Sequence, residues 1–587
     1  MSRTRIVGGK ITEIVGGEYN IYSEGPITLT SLEGSVNITA RQGITHGNPG
    51  TAPTVSKITT ECIVEFRTKQ DGSYTGQFGF DWLREDDNGL TTEAKYYDCL
   101  ENGYEAPNGR APHRDVNTEY ESKDEAFKAL QKEYNKIPID IIPRPATAPF
   151  TKDYFVPYLN LFPKPYSDAA TVPTGMPKPP FEAELRTLVE VGGTDEPDQI
   201  RIVFDKRYFE INGKDGSDAN PVLISDKALG AKREATADTI KIKCIEGFTT
   251  KQEIKVFVYP KGTLAKPVAE QIFARKLAGE IIVLPNKNTT GQNAVKNIKE
   301  QKFVFVQVRT NLTGITLTGA YNNNEKIKLY NSLYQSLIFI KSEDFKLKDA
   351  TGNIVKDALG NDVDYLDLTS DPDFISGGKF DLSGKFNEDY RINSTDKIPH
   401  FFKDMRSKFL ALPGNNKYND YFTVFVIADD VYDNAAGQIQ KIGVKNLVLF
   451  KNRNNLTLSH EGLHGLGLYH THWDFSKFVF INDTDPNTAT IFDTSKPPRT
   501  NNNTLKSKGS TLYIGTNGDT WFYGSGETSS PADQILKYRK YQHPSNQKFV
   551  YKHASTHSLL ATDNVMSYNG ALRKSTWIWQ WNIIKKM

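Results

Sequence analysis

Between His460 and His470 the chain reads H-E-G-L-H-G-L-G-L-Y-H, a stretch that restricts its own folding tightly. It fits H-E-x-x-H-x-x-G-x-x-H at every fixed position. Histidines four apart on a helix lie on one face, roughly 40° apart around the axis, so both imidazoles can reach one point. Continuing the helix to the tenth residue would carry His470 roughly 80° off that face. The chain must therefore bend back, and Gly467 can take the positive φ this needs without a Cβ clash. Three neutral imidazoles with one position left open is the donor set of catalytic zinc, whereas structural sites fill all four positions with protein. Glu461 stands beside these ligands, placed to take a proton from water at the metal.

Further along stands Asp563-Asn564-Val565-Met566-Ser567-Tyr568. With the histidine motif, it makes the sequence resemble the metzincin metallopeptidases. The resemblance implies that His460, His464 and His470 bind Zn2+ and that Glu461 is the general base. It also implies that Met566 forms an apolar floor under the imidazoles in a Met-turn. Tyr568 matches the tyrosine that in astacin- and serralysin-like members approaches the zinc and stabilises the oxyanion. Alone, Met566 would read as a plain core methionine, but the chain has five methionines and this one sits in M-S-Y downstream of the motif. The resemblance covers roughly the last 280 residues, with specific motifs at two places.

There are departures. Thr471 follows the third histidine, where several metzincin families carry a marker residue, so no subfamily is assigned. The interval from His470 to Met566 is long, and residues 474–555, rich in Asn, Thr, Ser, Gly and Lys, read as a loop-laden insertion forming the lower wall of a cleft. His472 reads as a local hydrogen-bonding or solvent-facing residue, because open zinc sites use three protein ligands.

At 587 residues the chain exceeds one core, and three or four domains are expected. Hydrophobic content of 38% and charged content of 24% describe a soluble, globular protein. A net charge of +2 without a basic run argues against a nucleic-acid surface, and no apolar stretch is long enough for a membrane span. The N-terminal residues carry charge but no apolar run, so no secretory signal is visible. Synthesis in the cytoplasm is expected, with any export by a contractile injection or other non-classical route. Cys62, Cys99 and Cys244 are scattered and odd in number, which argues against a disulfide scaffold.

Residues 1–55 contain glycines every eight or nine positions (Gly17, Gly25, Gly34, Gly43) between short alternating runs, the pattern of short strands and tight turns. A repeat this short must stack on copies of itself. It resembles the β-prism or β-helical spike of phage tails and type VI secretion systems, implying a secretion-apparatus spike or self-association as partner; a plain β-meander is the alternative. Residues 56–136 read as a small mixed β/α domain. Eleven prolines between 137 and 180 suggest a linker or strap. Residues 181–290 read as alternating strands, an immunoglobulin-like sandwich. Residues 300–587 read as the zinc metallopeptidase domain, with strands at 303–308, 421–427 and 443–450 and helices near 326–340 and 399–412. By resemblance, the strand at 443–450 is the exposed edge that pairs with an extended substrate.

The expected fold is thus multidomain, with an N-terminal all-β part followed by a C-terminal α/β metzincin-like zinc peptidase domain. The expected function is a zinc endopeptidase acting on a protein or peptide, carried as a toxin or effector by a contractile injection system. The alternative is a structural spike or carrier protein with a non-catalytic metal site. The presence of Glu461 and the lack of an obvious fourth ligand speak against it. Metal-dependent cleavage of a non-protein amide is a third reading.

Overall fold

The computed structural model describes residues 58–141 apart from 86, 88, 92–94 and 105–122, and residues 150–471 apart from 382–399 and 432–434. Beyond these it describes the strands at 477–481, 489–493, 510–514, 520–524 and 537–539, and residues 547–548, 562–567 and 573–586. All belong to one compact unit, Ile58–Met587. The spike-like repeat expected over residues 1–55 lies outside the described residues.

Alternation of apolar and polar residues produces a two-sheet sandwich, but not the self-contained one expected from residues 181–290. One sheet runs Cys62–Thr68, Glu182–Val191, Gly230–Cys244 and Phe209–Ile211, antiparallel throughout. The facing six-stranded sheet contains Gln199–Val203, Val222–Ile224, Gln252–Tyr259 and Lys276–Val283, and also takes in Tyr158–Asn160 and Gly79–Asp81. Lys276–Val283 pairs parallel with Tyr158–Asn160, so this sheet is mixed, which separates it from an antiparallel immunoglobulin-like arrangement. Phe66, Phe80, Leu185, Ile202, Ile254 and Ile281 are fully or almost fully buried between the two sheets.

The proline-rich stretch is built into the fold rather than strung across it. Lys136–Ile141 pairs with Phe150–Phe155 and with Ile58–Thr60. Pro138 is tolerated there because the pairing with Ile58–Thr60 begins at Ile139, one residue on, so its missing N–H is not required on that side. Pro163 opens the helix Lys164–Ala169, where a missing N–H costs little.

The C-terminal part overturns the expectation of an α/β domain. Across the described residues strands outweigh helices, and the sheets are of mixed type. Lys299–Thr310 pairs parallel with Ile338–Asp344, Tyr365–Asp367 and Phe422–Val426, and antiparallel with Leu317–Thr318. Phe422–Val426 in turn pairs parallel with Asn446–Leu449. The sheet ends in the antiparallel strand Gly437–Ile439. That short strand is the edge, not the 443–450 segment, which is flanked on both sides. The region 474–555, expected as loops, contributes a five-stranded antiparallel sheet. Its strands are runs such as Lys477–Ile481 and Thr520–Gly524, rich in the β-branched and aromatic residues that favour a pleated surface.

The apolar cores gather residues from distant parts of the chain. One core joins Tyr96, Tyr134 and Tyr158 to Leu329, Leu463, Met566, Trp577 and Trp581. It gathers the helices Tyr96–Tyr104, Lys123–Gln131, Asn323–Tyr334, Thr457–Gly465 and Ile578–Ile584 around one interior. Cys62, Cys99 and Cys244 are buried and none is in a disulfide. Among the described residues no helix is long and apolar enough to cross a membrane.

Candidate metal centre

The motif helix spans Thr457–Gly465. Asn454 prepares its start by accepting from the Leu456 N–H at 2.8 Å. Two glycines let it sit close to its neighbours. A Cβ at Gly462 would lie 3.0 Å from Leu329 of the helix Asn323–Tyr334, and one at Gly465 would lie 2.3 Å from the Phe422 ring. The helix ends as its sequence predicts. Gly467 has φ +92°, its N–H donates to the His464 carbonyl at 3.0 Å, and Leu468 N–H donates to Leu463 at 3.1 Å. That pair of bonds is a Schellman turn.

The turn brings His470 back to the helix. His470 Nε2 lies 3.0 Å from His464 Nε2 and 3.1 Å from His460 Nε2. His460 Nδ1 lies 2.9 Å from the Val565 carbonyl, and His464 Nδ1 lies 2.6 Å from the Leu468 carbonyl. A carbonyl oxygen only accepts, so each Nδ1 carries the proton and each Nε2 presents a bare lone pair. A proton on His470 Nε2 could satisfy only one of those two lone pairs, whereas a cation satisfies all three. A tetrahedral zinc site with bonds of about 2.0–2.1 Å sets its nitrogens about 3.3–3.4 Å apart, within a few tenths of the spacing here. Burial, reinforced by neighbouring His464 and Arg573, holds His460 well below the usual imidazole range despite the opposing Val565 carbonyl, which favours the neutral imidazole. The donor set fits zinc. Among the described residues the group numbers three histidines, with donor atoms within 4.8 Å of one another.

Glu461 is half-buried on the same turn as His460. It faces the edge strand, where a Cβ at Gly437 would stand 3.1 Å from its Cγ. Met566 is fully buried in the core that contains Leu463 and Val565. Its carbonyl accepts from the Thr471 N–H at 3.3 Å, tying the 562–567 turn to the residue after the third ligand. Tyr568 and His472 lie outside the described residues.

Several supporting residues left no trace in the sequence pattern. Gln547 accepts from Tyr469 N–H at 3.4 Å and donates to the Gly467 carbonyl at 3.0 Å, holding the return loop from a residue about 80 positions away. Val565 acts through its carbonyl, which any residue type could supply. Gly437 sits in a three-residue strand too short for a periodic signal.

Gly467→Ala is expected to cost about 1–2 kcal/mol in backbone strain. It should also weaken any metal binding by the three histidines, because the return of His470 depends on that left-handed residue. Thermal unfolding and zinc titration of the variant check both; unchanged affinity would separate the loop's conformation from the site.

No protein-family model matches this sequence, and no curated protein does.

Proposed function

We propose that this chain is a zinc-dependent endopeptidase. The observation that carries the reading is the convergence of three imidazole Nε2 atoms, two of them with the tautomer set by a backbone carbonyl on Nδ1, with Glu461 next to His460 in the chain. His460, His464 and His470 would hold the ion. Bound there, zinc supplies Lewis acidity, polarising a peptide carbonyl and making water a nucleophile near neutral pH.

The protein's own part is orientation and proton transfer. The Val565 and Leu468 carbonyls keep two imidazoles neutral and aimed inward. Glu461 takes one proton from the attacking water and delivers it to the departing amine nitrogen, so it ends the cycle as a carboxylate. The outer side of Gly437–Ile439, which ends the sheet among the described residues and lies against Glu461, offers backbone N–H and C=O groups to an extended peptide. A site with three protein ligands and a neighbouring carboxylate favours hydrolysis over a purely stabilising metal, which would fill its fourth position from the protein.

The test is hydrolysis of casein by the purified chain. Activity should vanish with a zinc chelator and return on adding zinc, with one zinc per chain by metal analysis. His464→Ala should lose both zinc and activity. Chelator-resistant hydrolysis, or a His464→Ala protein with full zinc occupancy, would reject the reading.

A further inference from the structure

The histidine that touches Val565 lies at the end of a chain of contacts that starts almost 500 residues earlier. The 562–567 turn has little regular structure of its own. It is held by a short parallel bridge between Asn564 and Ser575, by Val565 N–H donating to Ser575 at 2.9 Å, and by Met566 N–H donating to Asn564 Oδ1 at 2.9 Å. Lys574 and Ser575 N–H groups both donate to the Asp563 carbonyl, at 2.7 and 2.9 Å. Asp563 is therefore the residue on which this turn closes, two positions before the carbonyl that sets His460.

The carboxylate of Asp563 is met by Arg84, with Nη2 3.3 Å from Oδ1. Arg84 is 4% exposed and tightly placed. Its Nη1 donates to Asp81 at 2.8 Å, to the Trp82 carbonyl at 2.9 Å and to the Tyr96 hydroxyl at 2.7 Å. Its guanidinium lies over the Trp82 ring, 4.0 Å from the centroid. A flat cation fixed on several sides cannot swing away from Asp563 without breaking these contacts.

We infer that Arg84 is a positioning residue for the metal centre, acting through Asp563 on the turn that presents the Val565 carbonyl to His460. The inference rests on the metal-centre reading above. It makes a residue beside the β-sandwich part of the support of the histidine site. Loss of the group that holds a ligating histidine, here the Val565 carbonyl displaced with its turn, typically changes metal affinity 10–100-fold.

The full chain is titrated with Co2+, whose absorption bands report ligand geometry, alongside thermal unfolding of the metal-free protein. Arg84→Met is expected to bind Co2+ 10–100-fold more weakly at a temperature where circular dichroism shows it folded, with shifted absorption bands. Arg84→Lys, which keeps the charge but not the fork, should fall in between. Because Arg84 acts through Asp563, the double variant Arg84→Met, Asp563→Asn should bind no more weakly than Arg84→Met alone. A lowered melting temperature with Co2+ affinity within twofold of the parent, or effects that add in the double variant, would overturn the inference and leave Arg84 a purely structural residue. If Arg84→Met does not fold, Asp563→Asn is read instead, and unchanged affinity and bands there overturn it. A parent chain that binds neither Co2+ nor zinc would overturn the metal-centre reading and this inference together.

Discussion

Glu461→Gln is expected to retain zinc and fold while hydrolysing protein about 10²–10⁴ times more slowly. The amide has nearly the shape of the carboxylate, so the packing of Glu461 toward Gly437 and the helix beneath it should survive. What disappears is the ability to take a proton from water and return it to the leaving nitrogen. Zinc content should not fall, because the three imidazoles and their carbonyl partners are untouched. The comparison needs zinc analysis, circular dichroism and casein turnover on the same preparation. Turnover near the parent value with full zinc would remove Glu461 from its assigned role; loss of zinc together with activity would show that it supports the site instead.

The second large effect concerns stability. Asp81 is fully buried and accepts from Arg84 at 2.8 Å, the Tyr134 hydroxyl at 2.7 Å and the Ile578 N–H at 2.8 Å. Burial holds its carboxyl above the usual carboxylate range, with Arg84 and these donors opposing the shift only in part. Asp81→Ala would leave a buried guanidinium, a buried hydroxyl and the first N–H of the helix Ile578–Ile584 short of an acceptor. Breaking a buried pair from one side costs about 3–5 kcal/mol, and that is the expected loss in urea unfolding of the variant. Asp81→Asn keeps an acceptor and should cost less. A loss below about 1 kcal/mol for Asp81→Ala would mean that water or a rearranged side chain takes over the role.

The legible part of this molecule was local. The motif helix, its end at Gly467 and the return of His470 follow from angular spacing and one left-handed residue, and all appear within eleven positions. Strong strands such as Phe422–Val426 announced themselves by apolar runs. Much of the rest depends on pairings that leave no period in the sequence. Arg84 and Asp563 are 479 residues apart. The parallel pairing of Tyr158–Asn160 with Lys276–Val283 places a proline-rich stretch in a sheet. The α/β expectation fails in part because the region after His470, polar in overall composition, carries aromatic and β-branched residues in short runs that pair into a sheet. Tyr568 stays a matter of motif, since it lies outside the described residues.

The shared core also sets an order of events during translation. Ribosomes release a chain from its N-terminus, and early segments can fold while later ones are still being made. His460, His464 and His470 emerge about a hundred residues before Val565, whose carbonyl sets the His460 tautomer. The core around the motif helix also awaits Trp577 and Trp581. A nascent chain can therefore carry all three histidines and Glu461 before the Val565 carbonyl and the two tryptophans that complete their surroundings have been made.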